Sequence, residues 1–456
     1  MNYLEAIALL KEIETKYDVM SVKYRGLSIW PWLRIYLCDS LTPASKRQTM
    51  SSSNVKLVLR TLFPNGPSAL FHKHNVWLFS SLEGRKLIGD KYLDYIAGGI
   101  TELEKSTLAI EWPDRNRLSI PKENLEDNYM LSASWLLMVS HGLETLFRVG
   151  HFKIEREDVL ESIFEHYNVS IDYQYYVRYL LAQKITMDWM LKISTKPKVA
   201  FFLCPCTSMG FIWSLHNHGI PIVEMQHGVL NASHYAYNSK FHSDIFYPDH
   251  ICVFGEDEYK YFTKDNPIFC KKITQTGSFI LEKSNLFFEK DIFKEYRTTY
   301  SRVIVVAGQM GYEGALSDFV DKIAKLSTDT LFVYIPRYQD VELKIDSPNV
   351  IIKKGVNIYE YLKWCDIHMT VSSTTCLESQ FFYKPTIFYN YQNRPLDYYG
   401  KVLTEENGAY YINNPNDFLG IIDEVQNHNH TYRDIFAHGH LGLIKSVLNE
   451  YIKNEQ

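Results

Sequence analysis

The 456-residue sequence contains no run of 18 or more apolar residues, so no segment reads as a membrane-spanning helix. It has no Cys-x-x-Cys pair, and its seven cysteines are an odd number lying mostly in apolar, strand-like runs. Cysteines used that way are buried thiols of a reducing compartment. The tightest spacing is Cys204-Pro205-Cys206, and a single intervening residue fits neither a redox nor a metal-binding motif. No Asp-x-Asp pair is present to hold a metal on a nucleotide diphosphate. The pairs His216-x-His218, His428-x-His430 and His438-x-His440 lack the spacing of known metal sites. A metal-independent site without a cofactor is therefore expected. Excess positive charge is also missing: a net charge of -5 argues against nucleic-acid binding by overall electrostatics. The first residues carry no basic leader pattern and place apolar side chains at helical spacing, so a cytoplasmic location is expected.

What is present is ordinary globular material, 46% hydrophobic and 22% charged. At this length two domains are the default. Tyrosine (33) and phenylalanine (25) are abundant, which supplies large buried areas and amphipathic surface. Residues 1–40 read as helical through Leu4, Ile7, Leu10, Ile13, Trp30, Trp32, Leu33 and Tyr36. Residues 43–75 break that pattern around a basic amphipathic stretch, 54–63, which suits either an anionic membrane surface or a helix packed on its own domain.

From residue 76 the pattern is α/β. Strands are expected at 76–80, 198–203, 219–223, 250–255 and 273–277, with a helix-rich insert at about 120–195. A charged stretch at 282–300 has the character of a linker. A second α/β half follows, with strands at 303–307, 330–334, 350–352, 367–371 and 385–388. The fold class is therefore α/β, two Rossmann-like domains with an interdomain cleft. The first domain spans 1–290 with its helical insert, and the second spans 291–456 with a terminal helix at about 437–453 that packs there or crosses back.

Two polar strand ends stand out. Glu224-Met225-Gln226-His227-Gly228 closes the strand at 219–223, and Val371-Ser372-Ser373-Thr374-Thr375-Cys376-Leu377-Glu378 closes the one at 367–371. Ligands of open α/β sheets bind outside the carboxyl ends of strands. Ser372, Ser373 and Thr374 before a helix suit a phosphate, with Glu378 one turn on to accept from ribose hydroxyls; an ordinary helix cap has the same pattern. Gly308 and Gln309, in a Gly-x-x-Gly turn, permit close approach of a ligand, and Arg337 suits a diphosphate or a surface ion pair. In the first half His227 is a candidate base or phosphate cation and Glu224 an alternative base, with His234 close behind.

These residues resemble the GT-B glycosyltransferases of bacterial surface polysaccharide synthesis, which make capsules and O-antigens, and more distantly the teichoic acid glycerophosphotransferases. The resemblance rests on Tyr24, Ile29-Trp30-Pro31-Trp32-Leu33-Arg34, Glu224 to Gly228, Ile358-Tyr359-Glu360-Tyr361-Leu362 and Thr370 to Glu378. It implies a nucleotide-sugar donor held by the second domain, with Ser372, Ser373 and Thr374 at its phosphates and Glu378 near the nucleoside; Gly308, Gln309 and Arg337 stand beside them as donor-binding candidates on their own chemistry. It also implies a glycan or lipid-linked glycan acceptor in the first domain near Glu224 and His227; Gln226, Gly228 and His234 are further acceptor-side candidates, and the basic stretch 54–63 suits peripheral contact at the inner face of the cytoplasmic membrane. Many relatives carry His-Pro where this chain has Ile335-Pro336-Arg337, which leaves Arg337 to supply the positive charge. A nucleotide-sugar epimerase of the same architecture and a non-catalytic nucleotide-binding protein are the alternatives.

Overall fold

The computed structural model describes residues 3–42, 62, 66–113, 120, 124–228, 230–232, 234–266, 269–338 and 340–453. Apart from Leu62, the basic stretch 54–63 lies outside the described residues. The chain divides into two compact units. One comprises Met1–Arg85, Tyr92–Gly277 and Gly439–Gln456, and the other Lys86–Lys91 and Ser278–His438.

The first unit opens with helices α1 (Tyr3–Lys16) and α2 (Trp30–Leu41). The seven strands of its main sheet are β1 (Val76–Ser81), β2 (Leu108–Trp112), β3 (Tyr129–Ser132), β4 (Val199–Phe202), β5 (Ile222–Met225), β6 (His250–Val253) and β7 (Lys272–Gln275). All pair in parallel, in the order β7-β6-β5-β4-β1-β2-β3. Such strands are covered on both faces and read as continuous apolar runs; β1 and β4 fit, with Phe79 stacked on Phe202 at 4.1 Å. The expected helical insert contains α3 (Ser134–Phe147), α4 (Glu157–Tyr167) and α5 (Tyr173–Ile193), and α6 (Met209–Asn217) follows β4. Strands β2 and β3 were not expected. Glu111 interrupts the apolar run of β2, and it is tolerated there because the buried Arg85 guanidinium donates to it at 2.7 Å.

The second unit holds β8 (Arg302–Ala307), β9 (Thr330–Ile335), β10 (Val350–Ile352), β11 (Ile367–Thr370), β12 (Thr386–Tyr389) and β13 (Ala409–Ile412), again all parallel. Their order is β10-β9-β8-β11-β12-β13. Among its helices are α7 (Glu313–Leu326), α8 (Ile358–Trp364), α9 (Thr375–Phe381), α10 (Arg394–Tyr399) and α11 (Pro415–Asn427).

The division runs at 277/278, where the sequence pattern suggested 290/291. The charged stretch at 282–300 is not a linker. It begins inside a helix, Phe279–Phe287, whose Phe279, Ile280, Leu281 and Ser284 are buried, and Phe293 beyond it is buried too. The terminal helix His440–Ile452 belongs to the first unit, where Ile444, Val447 and Leu448 join Val76, Leu78 and Val199 in one apolar cluster.

Each sheet reverses its strand order once. In the first unit the chain moves outward through β1, β2 and β3 and returns to place β4 on the other side of β1; in the second, β8 and β11 stand in the same relation. The carboxyl ends of the strands flanking such a reversal are where doubly wound sheets open a crevice for ligands.

Candidate functional site

In the second unit the loops after β8 and β11 are tied together. Gln309 Oε1 accepts from the Ser372 backbone N–H (2.9 Å) and hydroxyl (3.1 Å), and its Nε2 donates to the Ser372 carbonyl (3.4 Å). Both residues therefore sit at the strand reversal. Tyr399 OH donates to the Ser372 carbonyl (3.4 Å), and Arg394 Nε donates to the Ser372 hydroxyl (3.3 Å). The Arg394 guanidinium also lies 5.3 Å from the centre of the Tyr312 ring. Two consecutive left-handed residues, Gln392 (φ 54°) and Asn393 (φ 59°), deliver Arg394 to this place, and the Asn390 side chain braces Asn393 at 3.1 Å. Non-glycine residues in that region cost energy that the surroundings must hold, as is common around functional loops.

Ser373 Oγ accepts from Thr375 N–H, at the first residue of α9, at 3.4 Å, while Thr374 at the cap position is exposed and makes no side-chain cap bond. Glu378 receives the Tyr359 hydroxyl (3.3 Å); burial pushes its carboxyl up to about 7 against the positive charges of Lys86 and Arg337. Gly308 has its own structural reason. A Cβ there would meet both Glu313 carboxylate oxygens at 2.6 Å, and Glu313 accepts from Tyr334 OH (2.7 Å) and the Arg337 N–H (2.7 Å). Gly311, with φ 83°, is the position of this turn that uses glycine's left-handed freedom.

In the first unit Glu224 lies inside β5, one residue before its end, with its side chain fully buried, and Tyr237 OH donates to it. Burial pushes the Glu224 carboxyl up to about 8. Tyr237 is held by its own carbonyl, which accepts from Tyr261 OH (2.9 Å) and Asn266 Nδ2 (2.6 Å). Gln226, also buried, fixes the next turn: its Nε2 donates to the Gly228 carbonyl (2.8 Å) and Glu258 (3.0 Å), and its Oε1 accepts from the Phe254 N–H (2.5 Å). His227 is the partly exposed member of this run, with Nδ1 buried and unpartnered among the described residues. Burial opposes its imidazolium, but the hydrogen-bonded Cys204 thiolate and Glu224 outweigh that and raise its pKa. His234 stacks on Tyr235, and burial, followed by the His227 charge, lowers it to about 4. Gly228 lies in a bend outside the left-handed region, with open space where a Cβ would stand.

The loop carrying His234 and Tyr237 is anchored from α2. Arg34, 1% exposed, donates to Glu14 (2.6 Å), the Tyr235 carbonyl and Asn238 Oδ1, and Trp30 Nε1 donates to the same Glu14 oxygen (3.1 Å). Among the described residues no group of three or more His, Cys, Asp or Glu side chains is arranged to hold a metal ion. None of their helices is long and apolar enough to cross a membrane.

No family model and no curated sequence matches this chain. Solved structures do. The Staphylococcus aureus MnaA–UDP co-structure is 10% identical and superposes with a TM-score of 0.50, covering 84% of this chain and 97% of that one. The fold is of the GT-B type. The wall teichoic acid polymerase TagF (12% identity, 89% and 95% covered, TM-score 0.49) and a UDP-GlcNAc 2-epimerase from Methanocaldococcus jannaschii (10%, 82% and 99%, TM-score 0.49) are further neighbours.

Within this GT-B-type fold, Gln309, Ser372 and Arg394 form one cluster, Glu378, Tyr359 and the charges of Lys86 and Arg337 form another, and Glu224, His227, His234 and Tyr237 form a third. Gln226 is committed to the backbone and Glu258. Arg394, Lys86 and Glu313 did not stand out in the sequence. An arginine just before a proline carries no motif, and Cys204 was set aside on spacing alone.

Proposed function

We infer that the chain is a metal-independent glycosyltransferase that moves a sugar from a nucleotide-activated donor to a growing bacterial surface glycan of the capsule or O-antigen class. The observation that carries this reading is the Gln309–Ser372 clamp at the β8/β11 reversal, which presents hydroxyls beside the Arg394 guanidinium where a doubly wound sheet takes its ligand. The donor diphosphate would lie against Ser372, Ser373 and Thr374, with Arg337 and Arg394 as counter-charges. Glu378 would accept from the ribose hydroxyls.

Departure of the sugar leaves negative charge on the diphosphate, and donors already fixed in place stabilise that charge without reorganising. In the first unit His227, in its neutral form, is the accessible base for an acceptor hydroxyl. Glu224 is sealed in protein, so its part is to hold and orient through Tyr237 rather than to touch the acceptor. The acceptor is a glycan or lipid-linked glycan, presented at the inner face of the membrane when lipid-linked.

The test is to incubate the protein with labelled nucleotide sugars, with and without glycolipid extract. Label appearing in glycolipid with matching release of nucleoside diphosphate supports the transferase. Conversion of the free nucleotide sugar to its epimer, with no acceptor needed, replaces it by an epimerase.

A further inference from the structure

Cys204 and Cys206 lie at the strand reversal of the first unit. β4 ends at Phe202, the Leu203 N–H still pairs with the Phe79 carbonyl of β1 (3.2 Å), and the chain then turns through a short 3-10 segment, Pro205–Thr207. That turn folds the two cysteines onto each other with sulfurs 3.4 Å apart. Both are only partly buried, whereas the other five, Cys38, Cys252, Cys270, Cys365 and Cys376, are fully so. The one-residue spacing, which in the sequence argued against redox chemistry, is compensated by the turn.

The two thiols also differ in character from the rest. The hydrogen bond from Cys206, and then the His227 imidazolium, hold the Cys204 thiol well below its usual range despite burial, while the same bond raises Cys206. Burial pushes Cys38, Cys270 and Cys365 up to about 12, and Cys252 and Cys376 higher than their ordinary value as well. A thiolate beside a cation is the attacking species in thiol–disulfide exchange, and a second thiol in contact with it resolves the product.

We propose that Cys204 and Cys206 are a reversible dithiol–disulfide pair, oxidised by small disulfides of the glutathione class, with Cys204 attacking and Cys206 resolving. Cys204 displaces one glutathione thiolate from glutathione disulfide and forms a mixed disulfide. Cys206 then attacks the Cys204 sulfur, forms the Cys204–Cys206 bond and displaces the second glutathione thiolate. Two electrons pass from the protein thiols to glutathione disulfide. The proton on His227 and the one on Cys206 end on the two released glutathione thiols. The sulfurs close from 3.4 Å to a bond of about 2.05 Å, a local movement within the turn. Oxidation removes the thiolate partner of His227, a consequence for turnover that rests on the role proposed for that residue.

The test uses the full chain and needs no substrate, so its outcome is separate from that of the transferase reading. Reduced protein is equilibrated in glutathione buffers of increasing oxidised fraction, quenched in acid, unfolded, alkylated and mapped by peptide mass. The expected result is that Cys204 and Cys206 lose alkylation together, with loss of two hydrogens from their peptide, while the other five cysteines alkylate fully and dithiothreitol reverses the change. In Cys206→Ser, Cys204 should instead carry one glutathione. Full alkylation of both thiols in every buffer, or glutathione on Cys206 with Cys204 free in the native chain, overturns the proposal.

Discussion

Replacing Arg34 by Met should cost the first unit about 3–5 kcal/mol, the range for breaking a buried ion pair by removing one partner. Arg34 and Glu14 have side chains 1% and 0% exposed, so solvent cannot take over the abandoned carboxylate. Arg34 also supplies the donors for the Tyr235 carbonyl and Asn238 Oδ1. The individual bonds are not summed, because charged hydrogen bonds worth about 1.5–3 kcal/mol each share one guanidinium and do not add. Adding Glu14→Met to Arg34→Met removes the stranded charge and should recover about 2 kcal/mol, leaving the loop carbonyl and Asn238 still unpaired. Urea unfolding followed by tryptophan fluorescence reads this unit, since every tryptophan except Trp364 belongs to it. A loss below about 1 kcal/mol for Arg34→Met, or strict additivity in the double variant, would refute the idea that this pair anchors the 234–238 loop.

Three further outcomes are expected. His227→Ala should lower transferase turnover by about 100-fold or more with the thermal transition unchanged, as for loss of a general base; turnover near the native level removes His227 from the chemistry. Gly308→Ala drives a Cβ into the Glu313 carboxylate and should destabilise by about 1–3 kcal/mol, and chemical denaturation should show Glu313→Ala relieving most of that penalty. His368 is buried between Thr386 (3.1 Å) and Thr375 (3.0 Å), and burial lowers its pKa to about 3. The unfolded chain then binds the extra proton below the ordinary histidine pKa of about 6.5, so stability falls as pH drops from there toward 3, by up to about 1.4 kcal/mol per unit. The stability difference between the native protein and His368→Gln should shrink across that window, and a pH-independent difference would show that His368 is not held neutral.

The strand runs were legible because parallel strands buried on both faces need uninterrupted apolar residues, as at 76–80 and 303–307. Strands carrying a buried charge, such as β2 with Glu111, were not, because the compensating Arg85 lies 26 residues away. Likewise Ser372 stood out from its strand end and Gln309 from its turn, but their partnership spans 63 residues and exists only once β8 and β11 lie side by side. The Trp30–Arg34 segment was recognisable by resemblance, while its work on Tyr235 and Asn238 is a long-range contact. The charged face of the helix Phe279–Phe287 disguised it as a linker, since composition averaged over a segment hides which face is buried. Glu224 and His227 were both readable as bases; burial, which only the fold decides, separates the sealed carboxyl from the accessible imidazole.

The most direct test of the account is a calorimetric titration of the protein and of Gln309→Ala with UDP, GDP, CDP, CMP and dTDP. The account predicts that one nucleotide class binds the native chain and binds Gln309→Ala about tenfold more weakly, the loss of roughly 1.4 kcal/mol expected when the clamp on Ser372 is cut. No binding by any of them, or equal affinity in the variant, would contradict a nucleotide site at the β8/β11 reversal.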